Sequence, residues 1–183
     1  MKVTVVTVCF NAKEDLKETM DSVLAQTYGD MEYIVVDGGS EDGTQDLLER
    51  YEELFAKQEK SFCYVSEKDS GTYDAMNKGC MMAKGEWINY MNAGDSFFSD
   101  DTLSSFFSHE IEGEAEVLYG NTLQVYDFGS GVATPKDFGN EVMPFCHQSS
   151  FVRRNIMQRL LFNTSYRIVA DHDLFYRIHF GGG

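Results

Sequence analysis

Four times within about 110 residues, a short β-branched run gives way to an amphipathic helical stretch, and this alternation does most to restrict the fold. KVTVVTVCF (2–10) is apolar enough for a strand buried on both faces. Residues 12–28 then place Leu16, Met20, Val23 and Leu24 on one helical stripe. EYIVVDGGS repeats the strand, and residues 42–58 repeat the helix, with Leu47, Leu48, Tyr51, Leu54 and Phe55 on one side. FCYVS leads to a helix over 72–83 with Tyr73, Met76 and Cys80 inward. GEWINYM is the fourth strand, followed by a short helix over 100–111 that presents Leu103, Phe106 and Phe107. This order predicts an α/β fold, with a mainly parallel central sheet and helices on both faces.

The rhythm then changes. AEVLYGNTLQVYDFGSG reads as two extended segments with a turn near Gly120-Asn121. HQSSFVRRN reads as a strand entering a helix, and ADHDLFYRIHF as a last helix. With no linker and no repeat, residues 1–183 are expected to form one domain, α/β in its first half and mixed in its second. The terminal GGG follows a helical segment directly, so we expect a domain cut short or tailed at its C-terminus.

The net charge of −15 argues against nucleic acid as a partner and against docking on anionic lipid by this domain alone. It leaves room for one anion in a local cleft, where a cation or backbone N–H groups supply the positive field. No apolar run is long enough to span a membrane, and a strand-like segment starts at Lys2, so a cytoplasmic location is expected. Cys9, Cys63, Cys80 and Cys146 lack CxxC spacing and sit in apolar stretches, which predicts reduced, buried thiols rather than zinc ligands or disulfides.

In open parallel sheets, ligands bind at the carboxyl ends of the strands. The residues at those positions are Thr7, Cys9 and Asn11; Asp37-Gly38-Gly39-Ser40; Glu67, Asp69 and Gly71; and Asn92-Ala93-Gly94-Asp95. Helix caps account for some such residues, but polar and acidic groups recur at four strand ends in a row. Common nucleotide motifs do not fit. Thr44 stands where a P-loop needs lysine, no GxGxxG follows the first strand, and Leu48 stands where a calcium loop needs glutamate. What remains is an acidic, lysine-poor edge. A diphosphate bound there needs a divalent cation, Mg²⁺ or Mn²⁺, and Asp95 with its small neighbours fits as a ligand.

In order along the chain, VTVVTVCFNA, YIVVDGGSEDGT, DSGTYDAMNKG, GEWINYMNAGD and ADHD resemble the family 2 glycosyltransferases of the GT-A (nucleotide-diphospho-sugar transferase) fold, from residue 3 to about 178. The nearest likeness is to bacterial enzymes that build O-antigen, capsule and exopolysaccharide. The resemblance implies an inverting transferase that moves a sugar from a nucleotide-sugar donor, a UDP-sugar, to a glycan or lipid-linked acceptor. Asp37 would take the uracil or ribose, and Thr7, Cys9 and Asn11 would line the nucleotide pocket. Asp69, Asp74 and Asn77 would sit near the donor. Loop 92–95 matches the DXD-type metal motif, although Asn92 and Gly94 replace its acidic residues and only Asp95 keeps its charge. Asp171 aligns with the family's catalytic aspartate, with Asp173 as the rival base and helix capping as the bland alternative. His147 would contact the acceptor or the metal-bound diphosphate, or be structural. The QxxRW motif of processive synthases is absent, since Trp87 is the only tryptophan, which implies a non-processive enzyme. The likeness further implies work at the inner face of the cytoplasmic membrane, with peripheral association through a C-terminal part outside this chain. Two other readings stand beside it: a sugar nucleotidyltransferase, disfavoured because TVCFNA lacks a glycine- and basic-rich loop, and a degenerate domain that binds donor without transfer.

Overall fold

A computed structural model describes residues 3–109, 111, 113–136 and 144–181. Strands β1 (Val3–Cys9), β2 (Met31–Asp37), β3 (Ser61–Ser66) and β4 (Trp87–Tyr90) alternate with helices α1 (Lys13–Leu24), α2 (Thr44–Lys57), α3 (Thr72–Met82) and α4 (Thr102–Phe107). Then follow β5 (Val117–Tyr119), β6 (Thr122–Tyr126), β7 (Gly129–Ala133), a 3-10 turn (His147–Ser149), β8 (Ser150–Arg153), α5 (Arg154–Leu160) and α6 (Ala170–Phe180). The main sheet has the order β3-β2-β1-β4-β8-β5. Its first four strands are parallel, while β8 runs antiparallel to both β4 and β5.

Every residue of β1, β2 and β4 is buried, as uninterrupted apolar runs require of strands covered on both faces. Alternate side chains feed two cores. Val6, Val8, Ile34, Val36, Ile88 and Tyr90 pack under α3, α5 and α6. Val3, Val5, Tyr33, Val35 and Trp87 pack with the apolar stripes of α1 and α2. Helix α3 lies so close to β1 that a Cβ on Gly79 would stand 2.4 Å from Val6 Cγ1.

Two expectations change. Residues 115–131 hold parts of three strands, and the break at Gly120-Asn121 is not a hairpin turn: β5 joins the main sheet through β8, while β6 pairs with β7 across a turn at Asp127-Phe128. That two-stranded ribbon lies outside the main sheet, so its apolar residues Val125 and Val132 stay exposed. Cys63 is also exposed, because β3 is an edge strand, and Cys146 is only partly covered. Cys9 and Cys80 are buried, and none of the four thiols is bridged. Burial pushes the Cys80 thiol up to about 11. No described helix is long and apolar enough to cross a membrane.

Candidate active site

Because β1 to β4 are parallel, all their carboxyl ends open on one edge. The β4 strand delivers Asn92–Asp95 there, and the loop is held from below. Thr19 of α1, fully buried, donates its hydroxyl to the Asp95 carbonyl at 2.7 Å and accepts the Gly94 N–H at 3.0 Å. The Thr7 hydroxyl donates to the Met91 carbonyl at 2.6 Å and accepts from Tyr33 at 2.9 Å. Thr7 is therefore a buried pin under the loop and does not line a pocket.

The 3-10 turn at His147 is brought to the same edge by a β4 side chain. Asn89 donates to the carbonyls of Gln148 and Ser150 at 2.8 and 2.9 Å. From this turn, His147 Nδ1 lies 3.3 Å from Asp171 Oδ2, and Gln148 donates to the Asp95 carboxylate. Asn92 Nδ2 reaches His147 Nε2 at 3.4 Å, and Tyr73 of α3 donates to Asp171 Oδ1 at 3.3 Å. Asp95, Asn92, His147 and Asp171, scattered along the sequence, thus form one connected group.

The two carboxylates differ. Desolvation pushes Asp95 above the usual carboxylate range, against the Gln148 hydrogen bond. Asp171 is held below that range, chiefly by the His147 hydrogen bond, despite its burial. Asp171 is not the cap of α6. The N-cap is Val169, with no side-chain capping bond. Asp173 turns the other way: it binds Arg177 at 2.8 Å, and Arg177 also donates to the Leu160 and Leu161 carbonyls. Only Asp171 faces the group.

Asp37 stands apart. It is fully buried and accepts from Ser40 N, Ser40 Oγ and, at 2.6 Å, Ser66 Oγ, with the Cys9 thiol at 3.7 Å. Its lone pairs serve the protein, so the carboxylate is a brace between loops and not a free ligand for a base. The Cys9 side chain is likewise buried, and its thiol is pushed far up by burial and by Asp37. Asn11, exposed, ties two loops together by accepting from Glu41 N at 2.9 Å. Asp69 does reach the opening. Its Oδ2 occupies the space above Gly38, 2.6 Å from where a Cβ would be, with the exposed ring of Phe10 alongside. Asp74 accepts from Ser70 N at the start of α3. Asn77 clamps Phe162 through both backbone groups, at 2.9 and 2.8 Å, so its polar atoms are already used.

Sequence reading missed Phe10, Thr19, Tyr73 and Gln148 as parts of the edge. Only Gln148, next to His147, carried any signal there. His109 is exposed.

Asn92 Oδ1 is buried with no partner. An orphaned oxygen on the same loop as a half-buried carboxylate gives a hard-oxygen pair suited to Mg²⁺ or Mn²⁺. Among the described residues no cluster of three His, Cys, Asp or Glu side chains forms a complete metal site. A cation held here would depend on ligand oxygens to fill its shell.

The profile of glycosyl transferase family 2 matches residues 4–176. The chain belongs to that family. It is 34% identical over 167 residues to a PGL/p-HBAD biosynthesis glycosyltransferase of Mycobacterium bovis (strain BCG / Pasteur 1173P2), covering 89% of this chain and 64% of that protein. It is 31% identical over 186 residues to an uncharacterized glycosyltransferase of Mycobacterium tuberculosis (strain ATCC 25618 / H37Rv), covering 96% and 68%. This family 2 chain thus spans about two thirds of the length of these relatives. Among solved structures, a mannosyltransferase from Pyrobaculum calidifontis in complex with GDP-Man and Mn²⁺ superposes with a TM-score of 0.78 at 22% identity, covering 98% of this chain and 52% of the other. Staphylococcus aureus TarS 1–349 in complex with UDP gives 0.75 at 18% identity, covering 97% and 54%. These likenesses place the chain in the GT-A fold.

Proposed function

We propose that this family 2 domain transfers a sugar, with inversion, from a nucleoside-diphosphate sugar to a hydroxyl of a glycan or lipid-linked acceptor. One observation supports this most: Asp95 and Asp171, 76 residues apart in sequence, are joined through the single turn His147-Gln148 at the carboxyl edge of the sheet. A sugar transfer needs charge stabilisation at the leaving diphosphate and a base at the acceptor, and the two carboxylates suit those roles.

Asp171, kept ionised, takes the proton of the acceptor hydroxyl. The freed oxygen pair forms a bond to the anomeric carbon from one face. The bond from that carbon to the diphosphate oxygen breaks on the other, and its electron pair leaves with the nucleoside diphosphate. Asp95 and Asn92 Oδ1 would hold Mn²⁺ or Mg²⁺, which supplies charge neutralisation at the diphosphate. Phe10 offers a face for stacking a nucleobase, and Asp69 offers an acceptor for its N–H edge; a UDP-sugar fits both.

The test is release of nucleoside diphosphate from UDP-, GDP- and dTDP-sugars with Mn²⁺ and a glycan acceptor. Asp171→Asn should keep nucleotide binding by calorimetry and lose about 10²-fold or more in turnover. Full turnover in Asp171→Asn would remove the base assignment. Binding without release in the wild-type chain would instead favour the degenerate-domain reading.

A further inference from the structure

The 3-10 turn gives one side chain to each carboxylate. Asp171 presents only acceptor oxygens, so the 3.3 Å contact needs a hydrogen on Nδ1. On its other side the ring meets the Asn92 amide nitrogen, 3.4 Å from Nε2. The ring is partly buried, and its turn is fastened to β4 by the two Asn89 hydrogen bonds.

We propose that His147 is a positioning residue, which orients the Asp171 carboxylate and couples it to the 92–95 loop. The inference rests on Asp171 being the base. Among the described residues, the titratable groups that face Asp171 are His147 from the turn and Tyr73 from α3. On its own helix, the backbone of His172 donates to it, while Asp173 is turned to Arg177. His147 does most to hold Asp171 below the ordinary carboxylate range, and burial opposes it. With the imidazole removed, burial pushes the carboxyl up. A base works only when ionised, so activity must then fall away at a higher pH than in the wild type.

The probe is nucleoside diphosphate release to water from UDP-glucose, UDP-N-acetylglucosamine or GDP-mannose, whichever the wild-type chain turns over fastest. His147→Ala should lower kcat, with a larger loss at pH 6 than at pH 8 and the donor KM unchanged. His147→Asn, whose amide N–H replaces Nδ1–H, should restore most of the pH 6 loss. Equal losses at both pH values, or a change confined to donor KM, would overturn the proposal. Long-range ¹H–¹⁵N correlation on histidine-labelled protein gives a reading independent of turnover. A hydrogen on Nδ1 is expected for His147, and a bare Nδ1 would refute the proposal. Asp171→Asn separates the two levels: if it retains turnover, the base assignment fails whatever His147 does.

Discussion

At the scale of single residues, Asp37, Asp95 and Asp171 differ in their hydrogen-bond partners, and those partners decide what each carboxylate is free to do. Asp37 is saturated by internal donors and fully buried. Asp37→Ala should therefore act on the fold, lowering stability by about 3 kcal/mol in denaturant titration, because Ser40 N and both serine hydroxyls lose their acceptor. Asp95 has a single side-chain donor, Gln148, and sits beside an orphaned oxygen. Asp95→Ala should leave stability within about 1 kcal/mol of wild type and abolish the strengthening of UDP binding by Mn²⁺ in calorimetry. The reverse pattern, with Asp37→Ala harmless to folding and Asp95→Ala destabilising, would mean the two roles have been exchanged. In sequence the three carboxylates look alike: each follows an apolar run and precedes, or begins, a helix. The hydrogen bonds that separate them come from Ser66, Gln148 and His147, and no local pattern predicts those contacts. The sequence singles out Asp95 by its strand-end position and Asp171 by family likeness, and the structure joins both to the His147-Gln148 turn. The saturation of Asp37 and the capture of Asn77 by Phe162 could not be read from sequence.

At the scale of elements, the strands and helices of the first half were legible because each is specified locally. Runs buried on both faces and helical stripes such as Leu47, Leu48, Tyr51 and Phe55 leave one arrangement each. The second half was less so, since the roles of β5 and β8 depend on strands far away in sequence, and the β6–β7 ribbon has no second layer to impose alternation. The packing of α3 on β1 gives a test at this scale. Gly79 has no room for a side chain: its Cβ would lie 2.4 Å from Val6 Cγ1 and 3.4 Å from Val36 Cγ2. Val6 is on a central strand with full burial, so it has nowhere to retreat. Gly79→Ala should gain helix propensity and still lose about 1–3 kcal/mol through overpacking. The thermal midpoint would fall by about 3–10 °C. A rise in midpoint would show that the helix lifts off the sheet at no cost.

At the scale of the whole molecule, charge and geometry pull against each other. The chain has a net charge of −15, and its candidate site gathers Asp69, Asp95 and Asp171 at one edge. A nucleoside-diphosphate sugar is itself an anion. In the proposed function it would gain from stacking on Phe10 and from base hydrogen bonding, but its phosphates would approach carboxylates with no lysine of the P-loop kind to receive them. The proposed function therefore requires ligand and cation to bind as a unit, and stability reads this out without knowledge of the acceptor. A donor at 100 times its dissociation constant stabilises the fold by about 2.7 kcal/mol, or about 5–10 °C in midpoint for a domain of this size. That shift should appear with a nucleotide-sugar and Mn²⁺ together, and should largely vanish with either alone or after chelation by EDTA. Comparing UDP-, GDP- and dTDP-sugars in the same experiment would identify the base that Phe10 and Asp69 accept. An equal shift with and without the cation would mean that backbone N–H groups neutralise the phosphates, and Asp95 would need another role.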